Sequence, residues 1–204
     1  MAIICGERIQ QSLKNVERLM ERGEEYENHL DAAFLDAWSV VDVCHRIRRL
    51  IARTPGIKHN EPWLQLFLRK TEEIEELRNH IQHLDSGISA LPLNWTPVLG
   101  TLSWVSFSDD QKCLTTMLGS LEDGITNNSI TYDRVGQSFT TKIELVAGNH
   151  CAPILDLVTD MTNLQDQLRM WVGKQPNWIV LPRQTPIFQM IFQPIPEKVS
   201  EVLE

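Results

Sequence analysis

No stretch of the 204-residue chain holds the ~18 uncharged apolar residues that a membrane span requires. The richest run, Ala32 to Cys44, is broken by Asp36 and Asp42. At the N-terminus the apolar run Ala2–Cys5 meets Glu7 and Arg8, which is too short for a secretory signal. A cytoplasmic protein with no membrane partner is expected. Cysteine is also scarce. Cys5, Cys44, Cys113 and Cys151 are scattered with no close pair, which argues against a zinc site, a thioredoxin-like motif and a disulfide framework. Buried, reduced thiols are the expectation. Without a signal, Asn127-Asn128-Ser129 reads as a turn rather than a glycosylation site.

Positive charge is in deficit as well. Nineteen Lys plus Arg face 27 Asp plus Glu, giving a net charge of −8. That excludes a broad nucleic-acid-coating protein, which needs clustered cations to neutralise phosphates, but leaves room for a small basic site. Glycine-rich phosphate loops, dinucleotide fingerprints, nucleophile elbows and His-Glu-x-x-His motifs are absent. His150-Cys151, two sequence neighbours, reads as a strand-to-helix junction rather than a metal grip. The chain is 42% hydrophobic and 23% charged, the balance of a globular protein. At this length it can bury a sizeable core without staples.

The first 91 residues read as three helices. Ile9, Leu13, Val16 and Met20 recur at helical spacing between about Glu7 and Arg22, with Gly23 near the end. A second helix is expected from Glu24 or His29 to Arg53, on a seam of Leu30, Phe34, Ala37, Val41, Cys44 and Ile51. Thr54-Pro55-Gly56 stops it. The third should begin at Glu61-Pro62-Trp63 and run about 28 residues to Leu91, on Phe67, Ile74, Leu77, Ile81, Leu84, Ile88 and Leu91. Residues 92–150 change character: 101–107, 112–119, 129–133 and 140–147 are short strand patterns separated by turn signals. Helical periodicity returns over 151–173. The proline-rich tail, 174–204, can supply an edge strand near Ile187–Phe192. The expected fold is mainly α: a four-helix bundle with a small antiparallel β insertion before its last helix and an extended C-terminal tail. Most of the six tryptophans are expected in the core.

Two polar features remain. From His45 to His59 the chain carries Arg46, Arg48, Arg49, Arg53 and Lys58 and no acid, and Arg46, Arg49 and Arg53 share one helical face. This is a plausible phosphate track, or equally a helix C-terminus favoured by cations. The other is Arg78-Asn79-His80-Ile81-Gln82-His83, late in the third helix. By helical geometry Asn79 and His83 lie opposite the apolar seam, Arg78 and His80 on its two flanks. The bland reading of that stripe is a solvated helix face.

Arg78, four intervening residues and His83, with Asn79 directly after the Arg, resembles the motif of the HEPN superfamily, the prokaryotic and eukaryotic nucleotide-binding helical domains. Arg22/His29 and Arg53/His59, with six and five intervening residues, also fall within the family's four to six but lack the Asn and carry glycine in between. The resemblance covers residues 1–91 and 151–173, not the β segment. It implies a helical bundle that pairs as a homodimer, with one composite site across the interface. It further implies a metal-independent, cofactor-free endoribonuclease in which Arg78 and His83 are catalytic, Asn79 supports them and His80 lies nearby. A histidine near neutrality can take the 2′-hydroxyl proton or protonate the leaving oxygen, and Arg78 can hold the scissile phosphate. Arg46, Arg49 and Arg53 would then bind RNA. Such proteins often serve as toxins or in phage defence, so an antitoxin or other protein partner is implied. The alternative is a non-catalytic HEPN-like scaffold that binds a nucleotide or a protein. The acidic run Glu72, Glu73, Glu75, Glu76 favours it, because it would repel RNA.

Overall fold

A computed structural model of the protein describes residues 1–54, 57–58, 60–82, 100–117, 130, 132–133, 136 and 138–174. It is mainly α with a small antiparallel sheet. Helices α1 (Ala2–Arg22) and α2 (Glu27–Arg53) are followed by α3 (Pro62–Lys70) and α4 (Glu73–Gln82). Next come β1 (Thr101–Val105), β2 (Cys113–Met117), β3 (Tyr132–Asp133), β4 (Ser138–Phe139), β5 (Ile143–Ala147) and β6 (His150–Pro153). Helix α5 (Ile154–Gly173) closes the described part. Residues Met1–Gln167, helices and sheet together, form one compact unit; Leu168–Glu204 form a second, described as far as Lys174.

Helix α1 buries Ile9, Leu13 and Val16, while Met20, expected on the same seam, is 45% exposed. Its end is set by Gly23 at φ 66°, where the Gly23 and Glu24 amides donate to the Met20 and Leu19 carbonyls in a left-handed cap that a glycine adopts without steric cost. The short connection makes α2 its antiparallel neighbour, and Phe34, Ala37, Val41, Cys44 and Ile51 are buried along α2. Asp36 is also buried and faces the Arg8 guanidinium at 3.0 Å.

The third helix is not one element of about 28 residues. It breaks at Thr71-Glu72, where the Glu72, Ile74 and Glu75 amides bond three residues back instead of four. Thr71 occupies the buried seam, its hydroxyl donating to the Phe67 carbonyl at 2.8 Å. Arg48 reaches from α2 to donate to the Leu68 carbonyl and the Thr71 hydroxyl, both at 2.6 Å. The freed carbonyl at the break thus has a cationic partner. Phe67, Ile74 and Leu77 stay buried, so the apolar seam continues across the break, and Ile81 is half-buried. The remainder of the expected helix, 83–91, lies outside the described residues, as do Asn127–Ser129 and the edge strand at 187–192.

The four-stranded sheet runs β2-β1-β5-β6, antiparallel throughout, with Trp104 of β1 opposite Leu114 and Ile143. Every residue of β5 is buried, and α4 packs on β5 and β6. Strands β4 and β6 were not expected; β6 is short, ends in Pro153 and runs directly into α5. Glu17 of α1 is buried and its carboxylate accepts from Trp104 Nε1 (2.9 Å), Ser106 Oγ (2.9 Å), the Phe107 amide (3.1 Å) and the Ser108 amide (3.4 Å). One acid thereby fixes the β1–β2 turn to α1. Of the described tryptophans in the compact unit, Trp104 is buried, while Trp38 and Trp63 are half-buried rather than core.

Candidate functional site

Helix periodicity places Asp42, His45, Arg46, Arg49 and Arg53 along one edge of α2, at intervals of three and four residues. Glu75, Arg78 and Gln82 are spaced the same way on α4. The two helices pack together, so these rows meet.

Asp42 is the hinge of the cluster. Its Oδ1 accepts from Arg78 Nε at 3.0 Å and its Oδ2 pairs with Arg46 Nε at 2.7 Å. Burial works against its charge, but the Arg78 hydrogen bond and the two guanidinium charges hold its carboxyl below the usual value. The Arg78 Nη1 group donates to Gln82 Oε1. Its Nη2 makes no hydrogen bond among the described residues, which leaves one arm of the fork for an external acceptor. The Arg78 side chain is 23% exposed, so it sits at the edge of the surface rather than beneath it. Arg48 lies deeper, with Nη2 3.7 Å from Glu75 Oε2. Arg46, Arg49 and Arg53 are exposed.

His45, between these rows, is 9% exposed, and its Nδ1 has no hydrogen-bond partner among the described residues. Burial, then the Arg78 charge, lower its pKa from the ordinary 6.5; Arg49 adds to this and Glu75 and Asp42 oppose it.

The members of the motif do not share one side of α4. Arg78 turns to α2, Asn79 is exposed, and His80 turns to the sheet, where the turn between β5 and β6 passes close to its ring. A Cβ on Gly148 (φ 59°) would come within 3.0 Å of the His80 ring, so glycine serves both the backbone and the contact. Burial, then the nearby His150, lower the His80 pKa. His80 thus holds the sheet to α4 and does not join Arg78. His83, the residue after α4, lies outside the described residues. Glu72, Glu73 and Glu76 are exposed on the same helical segment as Arg78.

Among the described residues no group of three His, Cys, Asp or Glu side chains is placed to hold a metal ion, and no helix is long and apolar enough to cross a membrane. Cys5 and Cys44 are buried, whereas Cys113 and Cys151 are half-buried, not core as expected, and none of the four is in a disulfide.

No protein-family model, curated protein or solved structure matches the chain. The chemistry of the site therefore rests on its own residues. Of these, the sequence reading missed Asp42, Glu75 and Gln82. The Asp42/Arg46 spacing of four was a usable signal for an ion pair, but nothing local to either helix announces the Asp42–Arg78 pair.

Proposed function

We propose that the α2–α4 face is the RNA-binding surface of a HEPN-like, metal-independent endoribonuclease acting as a homodimer. In this reading α1, α2, α3 with α4, and α5 stand for the four-helix bundle, and the sheet is an elaboration upon it. The observation that carries the proposal is the shared carboxylate. Arg46 and Arg78, 32 positions apart in sequence, both bind Asp42. Arg46 of the basic row and Arg78 of the motif therefore meet at one carboxylate, which supports reading them as parts of one surface.

The chemistry follows from the residue types. Arg46, Arg49 and Arg53 hold backbone phosphates, and Arg78 binds the scissile phosphate and stabilises its growing negative charge. One His83 imidazole removes the 2′-hydroxyl proton, and the 2′-oxygen then attacks phosphorus. The 5′-oxygen leaves with a proton from a second imidazole, that of His83 in the other copy, giving a 2′,3′-cyclic phosphate and a 5′-hydroxyl end. Asn79, exposed one position beyond Arg78, orients the substrate. A toxin or phage-defence role, with an antitoxin as protein partner, fits such an activity. Purified protein in EDTA should cut RNA, and Arg78→Ala and His83→Ala should each abolish cutting. Cleavage that survives both changes, or that needs a metal, refutes the proposal.

A second reading, a non-catalytic scaffold that binds a nucleotide or protein, is favoured by one observation. Arg78 already spends two of its nitrogens on Asp42 and Gln82, beside the exposed Glu72, Glu73 and Glu76. It predicts no cleavage, and nucleotide or protein binding that survives His83→Ala.

A further inference from the structure

His45 has no part in the reaction just described, yet it lies inside the cluster that holds Arg78. The charged groups that face it are Asp42 and Arg49 on its own helix and Glu75 and Arg78 on α4. All but one are already engaged: Asp42 with Arg46 and Arg78, Glu75 with Arg48, Arg78 with Asp42 and Gln82. Only Arg49 has no ion pair among the described residues. In a ring that is nine-tenths buried, an Nδ1 without a hydrogen bond is an unmet polar atom, which folded proteins seldom leave without a purpose.

A neutral imidazole offers one donor and one acceptor; a protonated one offers two donors and a positive charge. Neutral, His45 makes no demand on the two carboxylates. Protonated, it needs one of them, and it repels Arg78. The carboxylates in its field are Glu75, which Arg48 holds only at 3.7 Å, and Asp42, one helical turn earlier on α2, which holds Arg78.

We propose that His45 is the positioning residue of this site: neutral, it leaves Arg78 on Asp42, and protonated, it repels the Arg78 guanidinium and competes for the carboxylates around it, freeing Arg78 for an external anion. What the freed guanidinium then binds rests on the ribonuclease reading; the exchange of partners is a property of the folded chain alone. Because burial and the two arginines disfavour the charged ring, the exchange falls below pH 6.5 and not above it.

The test is NMR on the full chain without RNA, following the His45 ring and the Arg78 Nε–H signal from pH 7.5 to 4.5. His45 should titrate below 6.5, and the Arg78 signal should move with the same midpoint. In His45→Gln, which keeps a polar side chain but cannot take the proton, that step at Arg78 should vanish. If His45→Gln does not fold, His45→Asn serves instead, with the same loss of the step expected at Arg78. An Arg78 transition that persists in either variant overturns the proposal, and so does a His45 titration that leaves Arg78 unmoved. A chain that shows the coupling but cuts no RNA loses only the ribonuclease reading. One that cuts RNA without the coupling loses only this inference.

Discussion

Replacing Glu17 with alanine should destabilise the protein as much as the loss of a core side chain. The residue is 7% exposed, and its carboxylate accepts from Trp104 of β1 and from Ser106, Phe107 and Ser108 of the β1–β2 turn. The Trp104 indole N–H, on a residue 2% exposed, has no water to turn to once the acid is gone. Leaving a buried donor unmet costs about 1–3 kcal/mol, and the Trp104 and Phe107 N–H groups both lose their acceptor. The expected loss for the two donors together is therefore about 2–6 kcal/mol, a large share of the ~5–15 kcal/mol that holds a domain of this kind together. Glu17→Gln keeps one acceptor oxygen but turns an amide NH₂ on the remaining donors, and about 1.5–3 kcal/mol should go. Urea unfolding followed by tryptophan fluorescence measures both, with exposed Glu21→Ala as a control expected within ~0.5 kcal/mol of the parent. A Glu17→Ala chain within 1 kcal/mol of the parent, a loss set here by the ~1–3 kcal/mol range for a single donor, would show that the acid does not anchor the turn.

Acidification should destabilise the protein through His45 and His80. Both have folded-state values lowered below 6.5, so the unfolded chain takes up protons first, and stability falls as pH drops from 6.5 through the lowered values. His80→Gln should flatten that slope in unfolding measurements across the window. Thiol labelling of the native chain should modify Cys113 and Cys151 first, since burial pushes Cys44 up to about 12 and raises Cys5 as well. Rapid native labelling of Cys44 would contradict the packing around it. Gly148→Ala should cost about 1–2 kcal/mol from the left-handed backbone alone, and more from the His80 ring; adding His80→Ala should return the second part in thermal unfolding.

Much of the helical layer was readable because apolar period decides it. The seams of α1, α2 and α5 follow from residues such as Leu13, Phe34 and Leu157, which recur at three and four and are buried. Strands β1, β2 and β5 were readable from their β-branched and aromatic runs. The break at Thr71 was not, because its cause is Arg48, which reaches in from another helix. Glu17 could not be distinguished from an ordinary solvated helix acid, since only the fold brings the Trp104 indole to it. The basic row Arg46, Arg49 and Arg53 is a matter of helical spacing and could be seen in advance. Its union with Arg78 depends on Asp42 across a helix–helix contact, and the burial of His45 depends on the same contact. Long-range pairing of this kind has no local signature.

The proposed ribonuclease requires α2 and α4 to form one RNA surface. The most direct measurement is the salt dependence of single-stranded RNA binding by the His83→Ala chain, which is expected not to cut the probe. Each phosphate contact removed should lower the slope of log affinity against log salt by about 0.7. Arg49→Ala on α2 and Arg78→Ala on α4 should each lower it by about that amount, and the pair by about twice as much. Binding whose slope is untouched by either substitution, or no RNA binding at all, would contradict it.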